Sequence, residues 1–229
     1  MTNVVLLGST GSIGQQALEV LAKLPDYQVI ALGAGSSCEK LAEQILVVKP
    51  KYAALADLNA ADRLKLETDI PVLSGPSGLE ELAAIPEADL VINAVVGAAG
   101  LRPTMAALTS GKRLALANKE SLVAGGSLAM AYKDQIIPID SEHSALCQCL
   151  QGRACGEVER LVLTASGGPF YQYQGDLSCV TVEQALKHPN WNMGGKISVD
   201  SATMMNKGLE VIEAHWLFGF DYDAIDVVI

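Results

Sequence analysis

Two short stretches in the second half of the chain bring together the residue types that a metal-dependent enzyme needs. The first reads Asp140-Ser141-Glu142-His143, and the second reads Asn206-Lys207-Gly208-Leu209-Glu210. Together they supply carboxylates, a lysine and several hydroxyl or amide groups. Carboxylate oxygens suit Mg²⁺ or Mn²⁺ better than they suit softer metals. The two stretches therefore indicate a metal site with oxygen ligands beside a lysine that can bind an anion.

Asp140 and Glu142 stand two positions apart, at the end of an expected strand (Gln135–Asp140). Side chains of a strand alternate with period two, so both carboxylates are expected on the same side. A divalent cation would offset the repulsion between them. The alternative is a solvated acidic turn that caps a helix beginning near Ser144, and this stretch alone favours neither interpretation.

A long helical pattern from about Ala202 to Leu217 carries the second stretch. Four of its polar residues are spaced i, i+3, i+4 and i+7 and would share one stripe of the helix: Thr203, Asn206, Lys207 and Glu210. Such a stripe would present Lys207 to an anion and Glu210 to a metal. The alternative is a surface Lys207–Glu210 pair, which is common and contributes little to stability.

A glycine-rich segment, Gly8-x-x-Gly11-x-x-Gly14, follows the apolar run Val4–Leu7 and opens an amphipathic helix. Glycine permits a tight turn and a close approach of the backbone to a phosphate, and the helix N-terminus carries partial positive charge. The amides expected to bind a dinucleotide belong to Thr10, Ser12 and Ile13. The alternative is an ordinary glycine-rich turn.

Two further segments point to a nucleotide cleft. NAD-binding domains usually carry an acidic residue after the second strand, but this chain has Gly35-Ser36-Ser37, whose hydroxyls could bond a 2′-phosphate, which favours NADP. Asn118-Lys119-Glu120 follows a strand (Arg113–Ala117) at the sheet edge where ligands bind. The alternative role of Asn118 is to cap a helix.

The elements that must position these residues alternate between strand and helix through the first 120 residues, which indicates βαβ units and a parallel sheet. The expected strands are Val4–Leu7, Gln28–Leu32, Ala53–Ala56, Pro71–Leu73, Leu90–Asn93 and Arg113–Ala117. The expected helices are Gly14–Leu24, Cys38–Val48, Asn59–Glu67, Gly78–Ala84 and Pro103–Ser110. We predict a Rossmann-like, doubly wound α/β domain over residues 1–135, followed by an incomplete α+β domain over residues 136–229.

The composition excludes some partners. The 229 residues carry a formal net charge of −10, which disfavours nucleic acid as a partner. The N-terminus offers neither a membrane span nor a signal sequence, and five cysteines without a C-x-x-C pair are typical of free thiols, so we expect a cytoplasmic protein. The apolar end, Ile225–Ile229, resembles a strand, and we expect the chain to be part of a longer protein.

The motifs GSTGSIG, ANKESLV, PIDSEHSA, SGGPF, HPNWNMG and KISVDSATMMNKGLE together resemble those of the 1-deoxy-D-xylulose 5-phosphate reductoisomerase family. The resemblance runs from the first residues to about Leu217. It implies NADPH and a divalent cation (Mn²⁺, Mg²⁺ or Co²⁺) as cofactors, a sugar phosphate as substrate, and a homodimer at full length.

The resemblance also assigns roles to residues. The residues implied to bind NADPH are Thr10, Gly11, Ser12, Ile13, Gly35, Asn118, Glu120 and Gly194, with Ser36 and Ser37 beside them. The implied metal ligands are Asp140, Glu142 and Glu210. The residues implied to bind substrate are Lys119, Ser141, Glu142, Ser166, His188, Ser201, Asn206, Lys207 and Glu210. Those implied to be catalytic are Lys119, Glu142, His188 and Lys207, while His188 and Trp191 belong to a mobile loop.

The implied reaction is the NADPH-dependent rearrangement and reduction of 1-deoxy-D-xylulose 5-phosphate to 2-C-methyl-D-erythritol 4-phosphate, by a ketol shift or a retroaldol–aldol route. The chain departs from the family pattern where Ser36-Ser37 replaces a lysine-asparagine pair. One alternative is another two-domain NADP-dependent dehydrogenase that needs no metal in its substrate site. A second is a nucleotide-binding fragment without turnover.

Overall fold

The computed structural model describes residues 1–189 and 194–229. Contacts divide the chain into two compact units, Met1–Asp140 (the first unit) and Ser141–Ile229 (the second unit). The prediction that Trp191 belongs to a mobile loop lies outside the described residues.

The first unit is a parallel sheet of seven strands with helices between them, which confirms the predicted doubly wound α/β architecture. Its strands are β1 (Thr2–Leu7), β2 (Tyr27–Ala34), β3 (Tyr52–Leu55), β4 (Val72–Ser74), β5 (Leu90–Asn93), β6 (Arg113–Leu116) and β7 (Ile136–Pro138). Its helices are α1 (Ser12–Leu21), α2 (Cys38–Val48), α3 (Leu58–Glu67), α4 (Gly75–Ala83), α5 (Leu101–Thr109) and α6 (Lys119–Ala129).

The strands lie in the order β4-β3-β2-β1-β5-β6-β7. The chain therefore builds the sheet outward in one direction from β1 to β4 and in the opposite direction from β5 to β7, and the reversal point between the two halves lies between β1 and β5. Val4, Val5, Leu6 and Leu7 of β1 are all fully buried, as expected for a parallel strand covered on both faces. A sheet of this kind binds its ligands outside the carboxyl ends of the strands at the reversal point. The loops that follow β1 and β5 are therefore the ones that matter for function.

Local signals explain where two helices of this unit begin and end. The Asp57 carboxylate accepts a hydrogen bond of 2.7 Å from the Ala60 amide, which caps α3 at its N-terminus. Helix α2 has the predicted bounds and ends at Lys49, whose left-handed conformation (φ 54°) precedes Pro50. A residue before proline is pushed out of the helical region, so the helix stops there.

The described residues of the second unit form four α-helices, α7 (Ser141–Leu150), α8 (Val182–Leu186), α9 (Gly195–Ala202) and α10 (Met205–Phe218), and two strands, β8 (Leu161–Thr164) and β9 (Ile225–Val228). The strands pair in parallel with Leu161 opposite Ile225. Leu161, Leu163, Ala214 and Ile225 form its buried apolar cluster. No helix in the described ranges, 1–189 and 194–229, is long and apolar enough to cross a membrane.

Two expectations about this unit were wrong. The long helix does not begin near Ala202, because Met204 adopts a left-handed conformation (φ 60°) and separates α9 from α10. Thr203 therefore lies outside α10 and does not share a helical stripe with Lys207. In addition, β7 ends at Pro138 and Glu142 belongs to the first turn of α7, so strand alternation does not relate Asp140 to Glu142.

Candidate active site

The glycine-rich loop lies at the carboxyl end of β1, and its spacing has a steric cause. Gly8 has φ +78°, and a Cβ there would lie 2.4 Å from the Ala94 carbonyl oxygen. A Cβ on Gly14 would lie 2.2 Å from the Gly8 carbonyl oxygen. Larger residues at either position would separate the loop from α1 or from the segment that follows β5, so the two glycines close the turn over the sheet.

The residues predicted to bind a dinucleotide lie on exposed backbone around this turn. Gly11, Ser12 and Ile13 are exposed at the N-terminus of α1, where Gly11 occupies the cap position and has no side chain to occupy the first-turn amides. The segment Gly35–Ser37, at the end of the neighbouring strand β2, is exposed as well. Exposed residues at a helix N-terminus and at the end of the neighbouring strand are suited to the phosphates of a dinucleotide.

Asn118 plays one of the two roles considered from the sequence, that of a helix cap. Its side chain caps α6 by accepting a 3.0 Å hydrogen bond from the Ser121 amide, and it donates to the Glu120 carboxylate at 3.0 Å. Next to it, the Lys119 ammonium pairs with the Asp140 carboxylate at 2.6 Å, with side chains 15% and 10% exposed. The carboxyl end of β6 thus carries a positioned amide and a mostly buried ion pair.

In the second unit, the Lys207 ammonium lies between two carboxylates. It donates to Glu142 at 3.2 Å, to Glu210 one helical turn further along α10, and to the Thr164 carbonyl at the end of β8. Lys207 is 6% exposed and Glu210 2% exposed. Asn206 also donates to Glu210. Buried charges persist where they are paired, so α7, β8 and α10 are held together by a charged cluster.

The electrostatics of Glu142 favour its ionised form. Burial by itself raises the pKa of this carboxyl group, but the hydrogen bond from the Ser141 hydroxyl and the charge of Lys207 outweigh burial, and the pKa lies below its usual range. Glu142 is therefore a carboxylate at neutral pH. An ionised oxygen donor next to a second buried carboxylate is suited to a hard cation.

A polar pocket opens beside this cluster, and its lining includes Glu142, Ser166, Ser201, Met204, Asn206 and Lys207. Consecutive glycines with positive φ, Gly167 and Gly168, bring the Ser166 loop to α9: a Cβ on Gly168 would lie 2.6 Å from the Ser201 carbonyl oxygen. This close approach places two serine hydroxyls on one pocket.

His188 contacts Ser166, one of the residues that line the pocket. Its Nε2 is 3.0 Å from the Ser166 hydroxyl, and burial lowers the pKa of the imidazole. His188 is therefore neutral at pH 7. Gly194 is the N-cap of α9 and is not among the residues that line the pocket.

Two residues near the site were not identified as functional from the sequence. His143 is fully buried in α7; its Nε2 is 2.9 Å from the Glu210 carbonyl oxygen, and its Nδ1 is 3.4 Å from the Glu213 carboxylate. The pair connects α7 to α10 at the level of Glu210. The available signal was the placement of Glu213 three residues after Glu210, on the same face of the helix.

The fold and these sites define an α/β protein with a nucleotide-type glycine loop in one unit and a buried carboxylate–lysine site in the other. Residues 4–126 match the family model of 1-deoxy-D-xylulose 5-phosphate reductoisomerase, and residues 136–218 match the model of its C-terminal domain. The chain therefore belongs to the 1-deoxy-D-xylulose 5-phosphate reductoisomerase family.

Its similarity to individual proteins covers the whole chain. It is 55% identical to the 1-deoxy-D-xylulose 5-phosphate reductoisomerase of Pelotomaculum thermopropionicum and 57% identical to that of Rhodococcus jostii, in each case over 100% of this chain. These matches cover 62% and 58% of the two relatives. The chain thus spans about three fifths of the length of the curated relatives that it matches.

Solved structures show the same similarity. A crystal structure of DOX-P reductoisomerase in complex with NADPH, fosmidomycin and magnesium superposes with a TM-score of 0.91 at 39% identity, covering 99% of this chain and 60% of that one. The 1-deoxy-D-xylulose 5-phosphate reductoisomerase from Zymomonas mobilis in complex with NADPH gives a TM-score of 0.87 at 40% identity, with the same coverage.

Proposed function

We propose that this chain is the nucleotide-binding and catalytic part of an enzyme that uses NADPH and a divalent metal to convert 1-deoxy-D-xylulose 5-phosphate to 2-C-methyl-D-erythritol 4-phosphate. This reaction serves isoprenoid precursor synthesis. The observation that carries the proposal is the convergence of the Glu142 and Glu210 carboxylates on the Lys207 ammonium, beside a polar pocket that Glu142 and Lys207 line, in a chain of this family.

The proposed metal ligands are Asp140, Glu142 and Glu210. Within the second unit, Glu142 and Glu210 both contact the Lys207 ammonium, so their two carboxylates already lie close to the same positively charged group. Asp140 precedes Glu142 by two positions in the chain. A donor set made only of carboxylate oxygens suits Mg²⁺ or Mn²⁺. The crystal structure of a similar reductoisomerase is of a complex that contains magnesium, which supports a hard divalent cation as the metal here.

The proposed anion site binds the phosphate end of the substrate. Ser166, Ser201, Asn206 and Lys207 line one pocket and offer hydroxyl, amide and ammonium donors. His188 contacts the Ser166 hydroxyl and, being neutral, can donate or accept according to its tautomer. Energy gained by binding the phosphate, which takes no part in the bond changes, orients the reacting carbons.

The proposed cofactor site is the sheet edge of the first unit. We assign the phosphates of NADPH to the amides of Thr10, Ser12 and Ile13, its adenosine 2′-phosphate to the hydroxyls of Ser36 and Ser37, and further contacts to Gly11, Gly35, Asn118, Glu120 and Gly194. The exposed backbone at Gly11–Ile13 and Gly35–Ser37 supports this assignment. When bound, NADPH supplies the hydride and the divalent cation supplies Lewis acidity at the substrate oxygens.

Residues of the chain orient the substrate and offer it groups that can donate or accept protons. The Lys207 ammonium donates a hydrogen bond to the Glu142 carboxylate at 3.2 Å, so a donor and an acceptor face the same pocket. We assign substrate contacts to Lys119, Ser141 and Glu142 as well. Lys119, Glu142, His188 and Lys207 are the proposed catalytic residues. A homodimer at full length and a cytoplasmic location remain predictions.

NADPH oxidation with 1-deoxy-D-xylulose 5-phosphate, measured with Mn²⁺ and with EDTA, tests this function, and NADPH binding is measured separately by fluorescence. We expect oxidation that requires substrate and metal, and a decrease on the order of 10²-fold in Lys207→Met. Lys187→Met, which removes an exposed ion pair with Glu183, is the matched control and keeps full activity. Equal oxidation in EDTA would instead favour a dehydrogenase without a substrate-site metal, and NADPH binding without turnover would favour a nucleotide-binding fragment.

A further inference from the structure

A set of neutral polar side chains is buried inside the first unit. Its members are Asn93 at the end of β5, Thr104 in α5, and Asn118 and Ser121 around the start of α6, and each is at most 2% exposed. Apart from Asn118, none was identified from the sequence. Buried hydroxyl and amide groups are retained where their hydrogen bonds are satisfied, so their connections define what they do.

The hydrogen bonds run in one direction through the set. The Asn93 amide nitrogen has two protons and donates both, to the Gly100 carbonyl and to the Thr104 hydroxyl, each at 2.9 Å. Thr104 must then give its own proton to the Ser121 hydroxyl at 3.1 Å, and Ser121 donates to the Asn118 side-chain oxygen. We call this path from Asn93 through Thr104 and Ser121 to Asn118 the buried relay.

Both ends of the buried relay hold the same loop, residues 94–100. The side-chain oxygen of Asn93 accepts from the Val95 amide at 3.1 Å. The side-chain nitrogen of Asn118 donates to the Val95 carbonyl at 2.7 Å and to the Gly97 carbonyl at 2.9 Å. The loop is therefore fixed by two amides, and each amide is itself oriented by the hydroxyls between them.

The loop borders the glycine-rich turn. It follows β5, the strand next to β1 at the reversal point, and the Gly8 backbone packs directly against the Ala94 carbonyl. Any displacement of the loop would change the width of the crevice between the two segments.

We propose that Thr104 and Ser121 are positioning residues for the cofactor crevice: through the buried relay they fix the 94–100 loop and the Asn118 amide, and so set NADPH affinity. The proposal rests on the proposed NADPH site. Neither hydroxyl needs to contact the cofactor, since each acts through Asn93 or Asn118.

Two substitutions at one position separate the hydroxyl from the packing. Thr104→Val keeps the side-chain volume and removes the relay hydroxyl, whereas Thr104→Ser keeps the hydroxyl and removes a buried methyl group. Thr109→Val is the matched control, because Thr109 lies on the exposed side of the same helix and bonds only the backbone of that helix. Each protein is measured for NADPH dissociation constant, thermal unfolding midpoint and hydrogen exchange at the Val95 amide.

We expect Thr104→Val to weaken NADPH binding about tenfold, as for the loss of one buried hydrogen-bond connection, and to speed exchange at Val95. Thr104→Ser should unfold at a lower temperature and yet keep NADPH affinity within about threefold of the parent, since its hydroxyl completes the relay. If NADPH affinity instead decreases in proportion to the thermal unfolding midpoint across the parent and the three variants, the hydroxyls have only a structural role and the proposal is overturned.

Hydrogen exchange distinguishes this proposal from the proposed function. If the parent chain does not bind NADPH, the proposed cofactor site fails, while faster Val95 exchange in Thr104→Val alone still supports the relay. Unchanged Val95 exchange in that variant overturns the relay even if NADPH binds. Should Thr104→Val not fold, Ser121→Ala breaks the same path at its next hydroxyl, and the same two outcomes decide.

Discussion

The two units bury different kinds of polar group. In the first unit, the buried polar side chains of the relay are neutral and pass hydrogen bonds to one another beneath a large parallel sheet. In the second unit, the buried polar residues include Lys207, Glu210, Glu213 and His143, beside a cluster of only a few buried apolar residues. The first arrangement fixes loops in place, and the second concentrates charge around a pocket.

This difference predicts which unit is sensitive to its ligands. Neutral hydrogen-bonded groups keep their partners whether or not a ligand is present. Buried charges depend on partners of opposite sign, and removal of one partner leaves the others uncompensated. We therefore expect the stability of the second unit to respond to charge substitution, pH and metal ions, and that of the first unit, apart from its Lys119–Asp140 ion pair, to respond mainly to backbone geometry.

The largest effect is expected from Lys207→Met, which leaves Glu142 and Glu210 buried without their shared ammonium. We expect the free energy of unfolding of the second unit to fall by about 3 to 5 kcal/mol. Trp216 lies in α10 of the second unit, and the chain's other tryptophan falls within the sequence range of that unit, so denaturation monitored by tryptophan fluorescence reports on the second unit.

The control for this prediction is Lys187→Met, since that ion pair is exposed on both sides and should change the free energy of unfolding by no more than about 0.5 kcal/mol. Equal decreases in the free energy of unfolding of the two variants would show that burial of the Lys207 cluster has no special importance for stability. The proposed contrast between neutral buried groups in the first unit and charged ones in the second would then not hold.

A smaller effect is expected from backbone geometry in the first unit. Gly8 and Gly111 both have positive φ, but a Cβ at Gly8 would meet the Ala94 carbonyl at 2.4 Å while a Cβ at Gly111 meets nothing within 4 Å. Gly111→Ala therefore carries only the cost of the left-handed conformation. We expect Gly8→Ala to destabilise the first unit by roughly 1 to 3 kcal/mol more, as for an overpacked site.

Hydrogen exchange at the amides of β1 measures that difference. If the two alanine variants are equally stable, the close approach of the glycine-rich turn to the segment after β5 does not constrain the fold. The width of the crevice beside the 94–100 loop would then not depend on this contact.

The smallest effect concerns pH. Because the pKa of Glu142 is lower in the folded protein than in the unfolded chain, its ionised form stabilises the second unit above about pH 4.3, the value for an unperturbed glutamate. That contribution is lost as the pH falls through the lower, folded value. Without metal, the difference in free energy of unfolding between the parent and Glu142→Gln should be constant above about pH 5 and shrink below it. A difference that grows toward acid would contradict the assigned direction.

Much of the first unit could be predicted from the sequence because its signals are local. The bounds of α2 and β5 match the prediction, since the Lys49-Pro50 pair ends the helix and a short apolar run defines the strand. Thr104 and Ser121 could not be identified in this way. Their role comes from contacts with residues distant in the chain, and an isolated threonine or serine in a helical pattern carries no signal for such contacts.

The second unit was harder to predict for the same reason. Motif resemblance pointed to Glu142, Lys207 and Glu210, but the periodic pattern around them was continuous and hid the break at Met204. A left-handed methionine is unfavourable by itself, and surrounding structure must impose it. Local pattern alone therefore placed Thr203 on a helix that begins only at Met205.

The most direct test of the central claim is a titration of the chain with Mn²⁺, followed by electron paramagnetic resonance of the free ion. Three proteins are compared: the parent, Glu210→Gln, and Glu183→Gln as a control on the exposed side of α8. We expect one Mn²⁺ site per chain, with an affinity weakened at least about tenfold in Glu210→Gln and unchanged in Glu183→Gln. Equal Mn²⁺ affinity in all three proteins would contradict the assignment of the buried carboxylates to a metal.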